Sequence, residues 1–129
     1  RVHEECELCG NHGREHGLDG YDEISLTSDT KVITNKGEKL YTPEELGKRM
    51  VSPADISGGQ TVEESAKIFL RILKGEGSWA QHAVVLANAA MALHSSGQFA
   101  TYNDAYNAAV ESLESGKAYG SFQTLIQLQ

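Results

Sequence analysis

The stretch EISLTSDTKVITNKGEKLYTPEELG, residues 23–47, carries two patterns that meet at Tyr41. Its first part, residues 23–34, is dense in β-branched side chains, with Ile24 and Leu26 alternating against Ser25 and Thr27. It meets EKLYT through Asn35-Lys36-Gly37, where Gly37 supplies the positive φ that a three-residue loop needs. These features predict a β-hairpin. After Tyr41 the signals become helix starts. Thr42-Pro43-Glu44-Glu45 places an N-cap hydroxyl, a proline at the first helical position and a glutamate at the third, which is a capping box.

Downstream the helix signals repeat. Ser52-Pro53-Ala54-Asp55 predicts a second short turn, and Thr61-Val62-Glu63-Glu64 opens a longer, half-exposed helix that Gly75 ends. Its apolar residues Val62, Ala66, Phe69, Ile72 and Leu73 keep the 3.6-residue period. Ser78 caps the next helix, whose segment AVVLANAAMAL, residues 83–93, is apolar on every face and predicts a buried central helix. Thr101 starts a helix with Ala105, Tyr106, Ala109, Val110 and Leu113 on one face; Gly116 ends it, and a last helix follows from Lys117. The expected fold is thus a β-hairpin followed by a cluster of helices. One hairpin is marginal alone, and a helix apolar all round needs partners on more than one side, so the layout is that of part of a larger unit.

The 129 residues amount to about one average domain. Eighteen acidic against eleven basic residues give a net charge of −7, which opposes nucleic acid or an anionic membrane as a general partner. No apolar run approaches the ~20 residues of a membrane-spanning helix. Residues 1–7 are charged and lack the apolar centre of a secretory signal, so the expected compartment is the cytoplasm. Residues 1–13 read as a polar leader, set apart from residues 14–129. A disulfide between Cys6 and Cys9 would close too small a loop to organise the chain, leaving the core to apolar burial.

Two groups of residues could carry chemistry. Asp22 and Glu23 are adjacent carboxylates preceded by Gly17 and Gly20, and hard divalent cations such as Mg²⁺ take carboxylate oxygens while keeping waters and substrate phosphates. Successive side chains of a strand point to opposite faces, so the pair serves one site only if the chain turns through it as a loop. From the dipeptide alone, a solvated acidic loop is the commoner reading. The second group is Cys6, Cys9, His12 and His16, a compressed C-x2-C-x2-H-x3-H set that would make a small zinc-binding module on a helical scaffold. Familiar zinc modules separate their ligand pairs by ~12 or more residues, which favours a leader without metal. Asn88, inside the apolar helix, needs hydrogen-bond partners if buried, and a structural link to a neighbouring loop is the expected role. His82 and His94 near the ends of that helix are explained by solvent or capping contacts, and Trp79 by core anchoring. No Ser/His/Asp order, Walker loop or dinucleotide fingerprint is present.

The string HGLDGYDEISLT, residues 16–27, followed by Thr30-Lys31-Val32, resembles anthranilate phosphoribosyltransferase, a family of tryptophan biosynthesis. The likeness continues in order through YTPEELG at 41–47, Gly58-Gly59, ILKGEG at 72–77, VLANAAMAL at 85–93 and ESGKA at 114–118. It implies the C-terminal part of an α/β phosphoribosyltransferase domain. It further implies a pentosyltransferase in which the anthranilate amine attacks the anomeric carbon of phosphoribosyl pyrophosphate and displaces pyrophosphate. Mg²⁺ held by Asp22 and Glu23 would neutralise the leaving diphosphate. The family's glycine-rich diphosphate loop, its anthranilate-holding residues and the helical domain that makes its homodimer have no counterpart here, so the isolated chain is expected to be inactive. The nearest enzyme alternative is a homologous pyrimidine nucleoside phosphorylase. One departure stands out: where the family enters His-Gly from an apolar strand, residues 9–15 are polar and contain two glycines.

Overall fold

The computed structural model describes residues 14–129. Three antiparallel strands form a sheet in the order β1 (Arg14–Gly17), β2 (Thr30–Thr34), β3 (Gly37–Tyr41). Five α-helices follow: α1 (Pro43–Gly47), α2 (Val62–Leu73), α3 (Trp79–Ser95), α4 (Tyr102–Glu114) and α5 (Lys117–Gln127), with a 3₁₀ turn at Pro53–Ile56 between α1 and α2. The predicted hairpin is β2–β3, and it differs from the expectation in three ways. The pairing of Thr34 with Gly37 leaves only Asn35 and Lys36 as the loop, while Gly37 itself takes φ 123°. Strand β2 begins at Thr30, because residues 24–29 commit their hydroxyls and backbone to a loop. Strand β1 forms in the polar stretch that carries no apolar period, its pairing running from Arg14 opposite Ile33 to Gly17 opposite Thr30. Main-chain bonding to a neighbouring strand, rather than side-chain pattern, makes it a strand.

The helix starts are where the cap residues place them. Thr42 and Glu45 exchange hydrogen bonds, Glu45 N–H donating to Thr42 Oγ1 at 3.4 Å and Thr42 N–H to Glu45 Oε2 at 2.9 Å. Ser78 and Gln81 do the same for α3, while Thr61 and Thr101 each accept one bond from the third residue of α2 and α4. Ser52 makes no such bond, and its segment closes as a 3₁₀ turn.

The core joins loop, sheet and helices through Ile24, Leu26, Val32, Leu46, Val51, Ala80, Ala83, Ala87 and Met91. Helix α3 supplies the alanine stripe, and its most extensive helix contact is with α4. It is buried on one side only: Ala80, Ala83, Ala87, Ala90 and Met91 are covered, whereas Val85 is 40% exposed. The reason is that no described element lies over its opposite face. Helix α2 has no buried residue, and Val62 and Phe69 on its apolar face are 82% and 48% exposed, so it is barer than the half-exposed helix expected. Phe69 meets Phe122 of α5 edge to face, with ring centroids 5.1 Å apart. Among the described residues no helix is long and apolar enough to cross a membrane.

Packing is tight where α1 meets the loop before β2. A Cβ added to Gly47 would sit 2.2 Å from Leu26 Cδ1, and Leu26 is fully buried. Overpacking of this kind costs about 1–3 kcal/mol. The Gly47→Ala chain is therefore expected to unfold at lower urea, despite the better helix propensity of alanine, and chemical denaturation followed by circular dichroism measures it.

Candidate metal centre

Residues 18–29 leave the sheet at the end of β1 and return at the start of β2. Their base is closed by main chain: Leu18 N–H donates to Asp29 O at 3.1 Å, which extends the β1–β2 ladder by one bond. A tight turn follows, with Gly17 N–H donating to Tyr21 O at 2.8 Å and Gly20 N–H to Gly17 O at 3.1 Å. Gly17 has no room for a side chain, since a Cβ there would lie 2.9 Å from Asp19 Oδ1 and 3.2 Å from Tyr21 O. Gly20 takes φ 98°, a conformation that glycine adopts without steric penalty.

Asp22 and Glu23 follow directly, both exposed and both outside any strand. The strand alternation that would send them to opposite faces therefore does not apply, and the condition set by the sequence is met. Neither carboxylate takes part in an ion pair among the described residues. The pair offers hard oxygen donors, a donor set suited to Mg²⁺. Among the described residues no group of three or more His, Cys, Asp or Glu is placed to hold a metal ion.

Just after Glu23 the chain enters the core. Ile24 and Leu26 are fully buried, and Ser25 is 3% exposed. Ile24 N–H donates to Asn88 Oδ1 at 3.0 Å, and Asn88 Nδ2 donates to Ile24 O at 2.8 Å and to Val84 O at 2.9 Å. The amide thus copies one rung of a β-ladder between a loop and a helix, which is the structural link expected of Asn88. Leu26 takes φ 60°, a conformation costing a leucine roughly 1–2 kcal/mol, and is held there by burial and by the Val51 N–H bond to its carbonyl at 3.0 Å.

Three side chains brace the loop from within, and sequence reading passed over all of them. The Thr27 hydroxyl donates to Asp19 Oδ2, and the Ser25 hydroxyl lies 2.7 Å from that of Thr27. Ser25 Oγ also accepts from Thr27 N–H at 3.2 Å. The available signal was Ser25 and Thr27 two positions apart, hydroxyls that favour local side-chain-to-backbone bonding over a strand ladder.

Other sequence candidates do not converge here. Cys6, Cys9 and His12 lie outside the described residues, and His16 is in β1 opposite Lys31. His82 Nε2 accepts from Gly77 N–H at 3.2 Å, and His94 Nδ1 lies 3.2 Å from Phe99 O, the local contacts expected of them. Trp79 is not a core anchor: it is 43% exposed, with the Arg49 guanidinium 3.7 Å from the centre of its ring. A guanidinium over an aromatic face is favourable while both remain wet, so the ring need not be buried.

With this geometry in place, the class of the protein follows from its relatives. Residues 15–119 match the glycosyl transferase family, a/b domain, and the chain belongs to that family. Among similar proteins, the anthranilate phosphoribosyltransferase of Flavobacterium psychrophilum is 48% identical over 118 residues, covering 88% of this chain and 34% of that protein. The enzyme of the same name from Cytophaga hutchinsonii is 45% identical over 112 residues, covering 87% of this chain and 34% of its own length. The solved structure of anthranilate phosphoribosyltransferase from Thermus thermophilus superposes with a TM-score of 0.72 at 30% identity, over 83% of this chain and 32% of that one. The chain therefore spans about a third of the length of the curated relatives it matches.

The brace predicts a pH response. The Thr27 hydroxyl, donating to Asp19, holds that carboxyl below its ordinary value. A carboxyl depressed on folding contributes stability above its unfolded pKa, and that contribution is lost as pH falls through the folded value. Thr27→Val is expected to raise the Asp19 pKa toward the ordinary carboxylate range, and carboxyl carbon NMR titration reads it directly.

Proposed function

We propose that this chain is the C-terminal part of an anthranilate phosphoribosyltransferase, acting in tryptophan biosynthesis, and that Asp22 and Glu23 are its Mg²⁺ ligands. The observation that carries the reading is the adjacent, exposed carboxylate pair on a loop whose far side is pinned to α3, in a chain of this family. The names of its relatives support anthranilate and a phosphoribosyl donor, phosphoribosyl pyrophosphate, as the substrates of the whole enzyme. The bare apolar faces of α2 and α3 support a larger protein around this part. The homodimer expected of the whole enzyme and its cytoplasmic location belong to the same proposal.

In this reading the chain's own contribution is charge and position. Asp22 and Glu23 place two negative charges on the loop between β1 and β2, bounded by the Gly17–Tyr21 turn bond on one side and the Asn88 bonds to Ile24 on the other. Mg²⁺, when bound, neutralises charge developing on the leaving diphosphate. An aryl amine is unprotonated near neutral pH, so the attacking nitrogen needs no strong base, in keeping with His82 and His94 being engaged in local contacts. The isolated chain is expected to make no product from anthranilate and phosphoribosyl pyrophosphate.

Replacing Asp22 by Asn and Glu23 by Gln in the complete enzyme removes two charges and nearly preserves volume. Surface changes of this kind alter stability by less than about 0.5 kcal/mol. Turnover is expected to fall at limiting Mg²⁺ and to recover in part at high Mg²⁺, in steady-state assays across a Mg²⁺ series. Full activity of the double variant at low Mg²⁺ would make the pair an ordinary solvated loop.

A further inference from the structure

We infer that Asn88 is the positioning residue of the Asp22–Glu23 loop: it clamps the peptide of Ile24 and so fixes where the two carboxylates stand. This inference rests on the metal-ligand reading above and assigns a role to a residue 64 positions away in sequence from the one it holds.

Little else among the described residues restrains the pair. Tyr21, Asp22 and Glu23 are exposed and make none of the ladder bonds of the sheet. On the N-terminal side the last restraint is the turn bond from Gly17 N–H to Tyr21 O. On the C-terminal side it is Asn88, which engages both the N–H and the C=O of the very next residue. Two bonds to one residue's main chain fix its orientation as well as its position, which a single bond cannot do. The clamp is rigid in turn, because the third Asn88 bond goes to Val84 O one helical turn back and the buried Ala87 and Ile24 pack beside it. Neither Ala nor Leu at position 88 keeps any of these three bonds. A side chain that orients metal ligands without touching the ion typically changes metal affinity about 10–100-fold.

The test measures Mn²⁺, as a probe for Mg²⁺, binding to the 129-residue chain by electron paramagnetic resonance. The variants are Asn88→Leu, Asn88→Ala, the Asp22→Asn/Glu23→Gln pair and Tyr102→Phe. The last is a stability control, since it removes the Tyr102 hydroxyl bonds to Leu46 O at 2.7 Å and to Ala87 O at 3.4 Å from the same core while leaving the three Asn88 bonds in place. Measurements are made well below each melting temperature. Mn²⁺ affinity is expected to drop about 10-fold or more in the Asn88 variants, to vanish in the carboxylate variant and to hold in Tyr102→Phe. Unchanged affinity in the Asn88 variants, with binding lost in the carboxylate variant, overturns the positioning role and leaves the metal reading standing. Unchanged affinity in the carboxylate variant, or no binding by the unaltered chain, overturns the metal reading and this inference with it. An equal loss in Tyr102→Phe also overturns the positioning role, as a general effect of stability. Should neither Asn88 variant fold, amide hydrogen exchange in the unaltered chain decides: the Ile24 amide is expected to exchange as slowly as the amides of α3, and exchange at the fast rate of residues 21–23 would overturn the clamp.

Discussion

The two-point bond between the Asn88 side chain and the Ile24 main chain is the contact on which the arrangement turns. A helix and an irregular loop share no natural hydrogen-bonding edge, so a loop laid on a helix ordinarily leaves main-chain groups without partners. A primary amide solves this, because its oxygen and nitrogen sit as a peptide's do and can satisfy an N–H and a C=O at once. With that exchange made, Ile24 and Leu26 can be buried fully while their backbone is neither strand nor helix. The hydrophobic cluster of loop, β2, α1 and α3 then closes around them. An apolar residue at 88 would leave two buried main-chain groups unmet, at about 1–3 kcal/mol each.

The helical half of the fold was legible because its signals are local. Thr42, Thr61, Ser78 and Thr101 each fix a helix start through atoms three residues apart, and Gly75, Gly97 and Gly116 sit at positive φ where the helices stop. The strands were less legible because their determinants are distant or main-chain only. Strand β1 shows no alternation to read, and its existence depends on β2 offering an edge. Residues 24–29 look like a strand by composition, yet Ser25 and Thr27 turn their hydroxyls onto the loop itself and Leu26 adopts a left-handed backbone that no propensity scale favours for leucine. Tertiary contact overrides local preference at that point: Gly47, without a side chain, opens the space that Leu26 fills.

The same division applies to the candidate site. The carboxylates could be named from sequence because adjacent acids after a glycine-bearing turn are visible as letters. Asn88 was legible as a helix amide in need of partners on a neighbouring loop, but not which residue it would meet, 64 positions away, and Asp19, Ser25 and Thr27 read as ordinary loop residues. The partial burial of α3 has the complementary explanation. A helix apolar on every face shows that it needs several neighbours, but the described residues supply them on one side only, leaving Val85 at the surface.

A two-carboxylate donor set also constrains what kind of metal chemistry the proposed site can support. Mg²⁺ prefers six oxygens in near-octahedral geometry and is commonly held by one or two carboxylates with substrate phosphates and waters. A site with three or more protein ligands holds its ion largely through the protein, whereas two exposed carboxylates bind it measurably but less tightly, and phosphate oxygens that complete the shell add to the affinity. Affinity is then shared between protein and substrate, so the ion is held best when the diphosphate is present and is released along with it. Such sharing tolerates little error in direction, because two ligands that drift apart can no longer meet one ion between them. The fewer the ligands, the more depends on the backbone that carries them, and here that backbone is held by Gly17 on one side and Asn88 on the other.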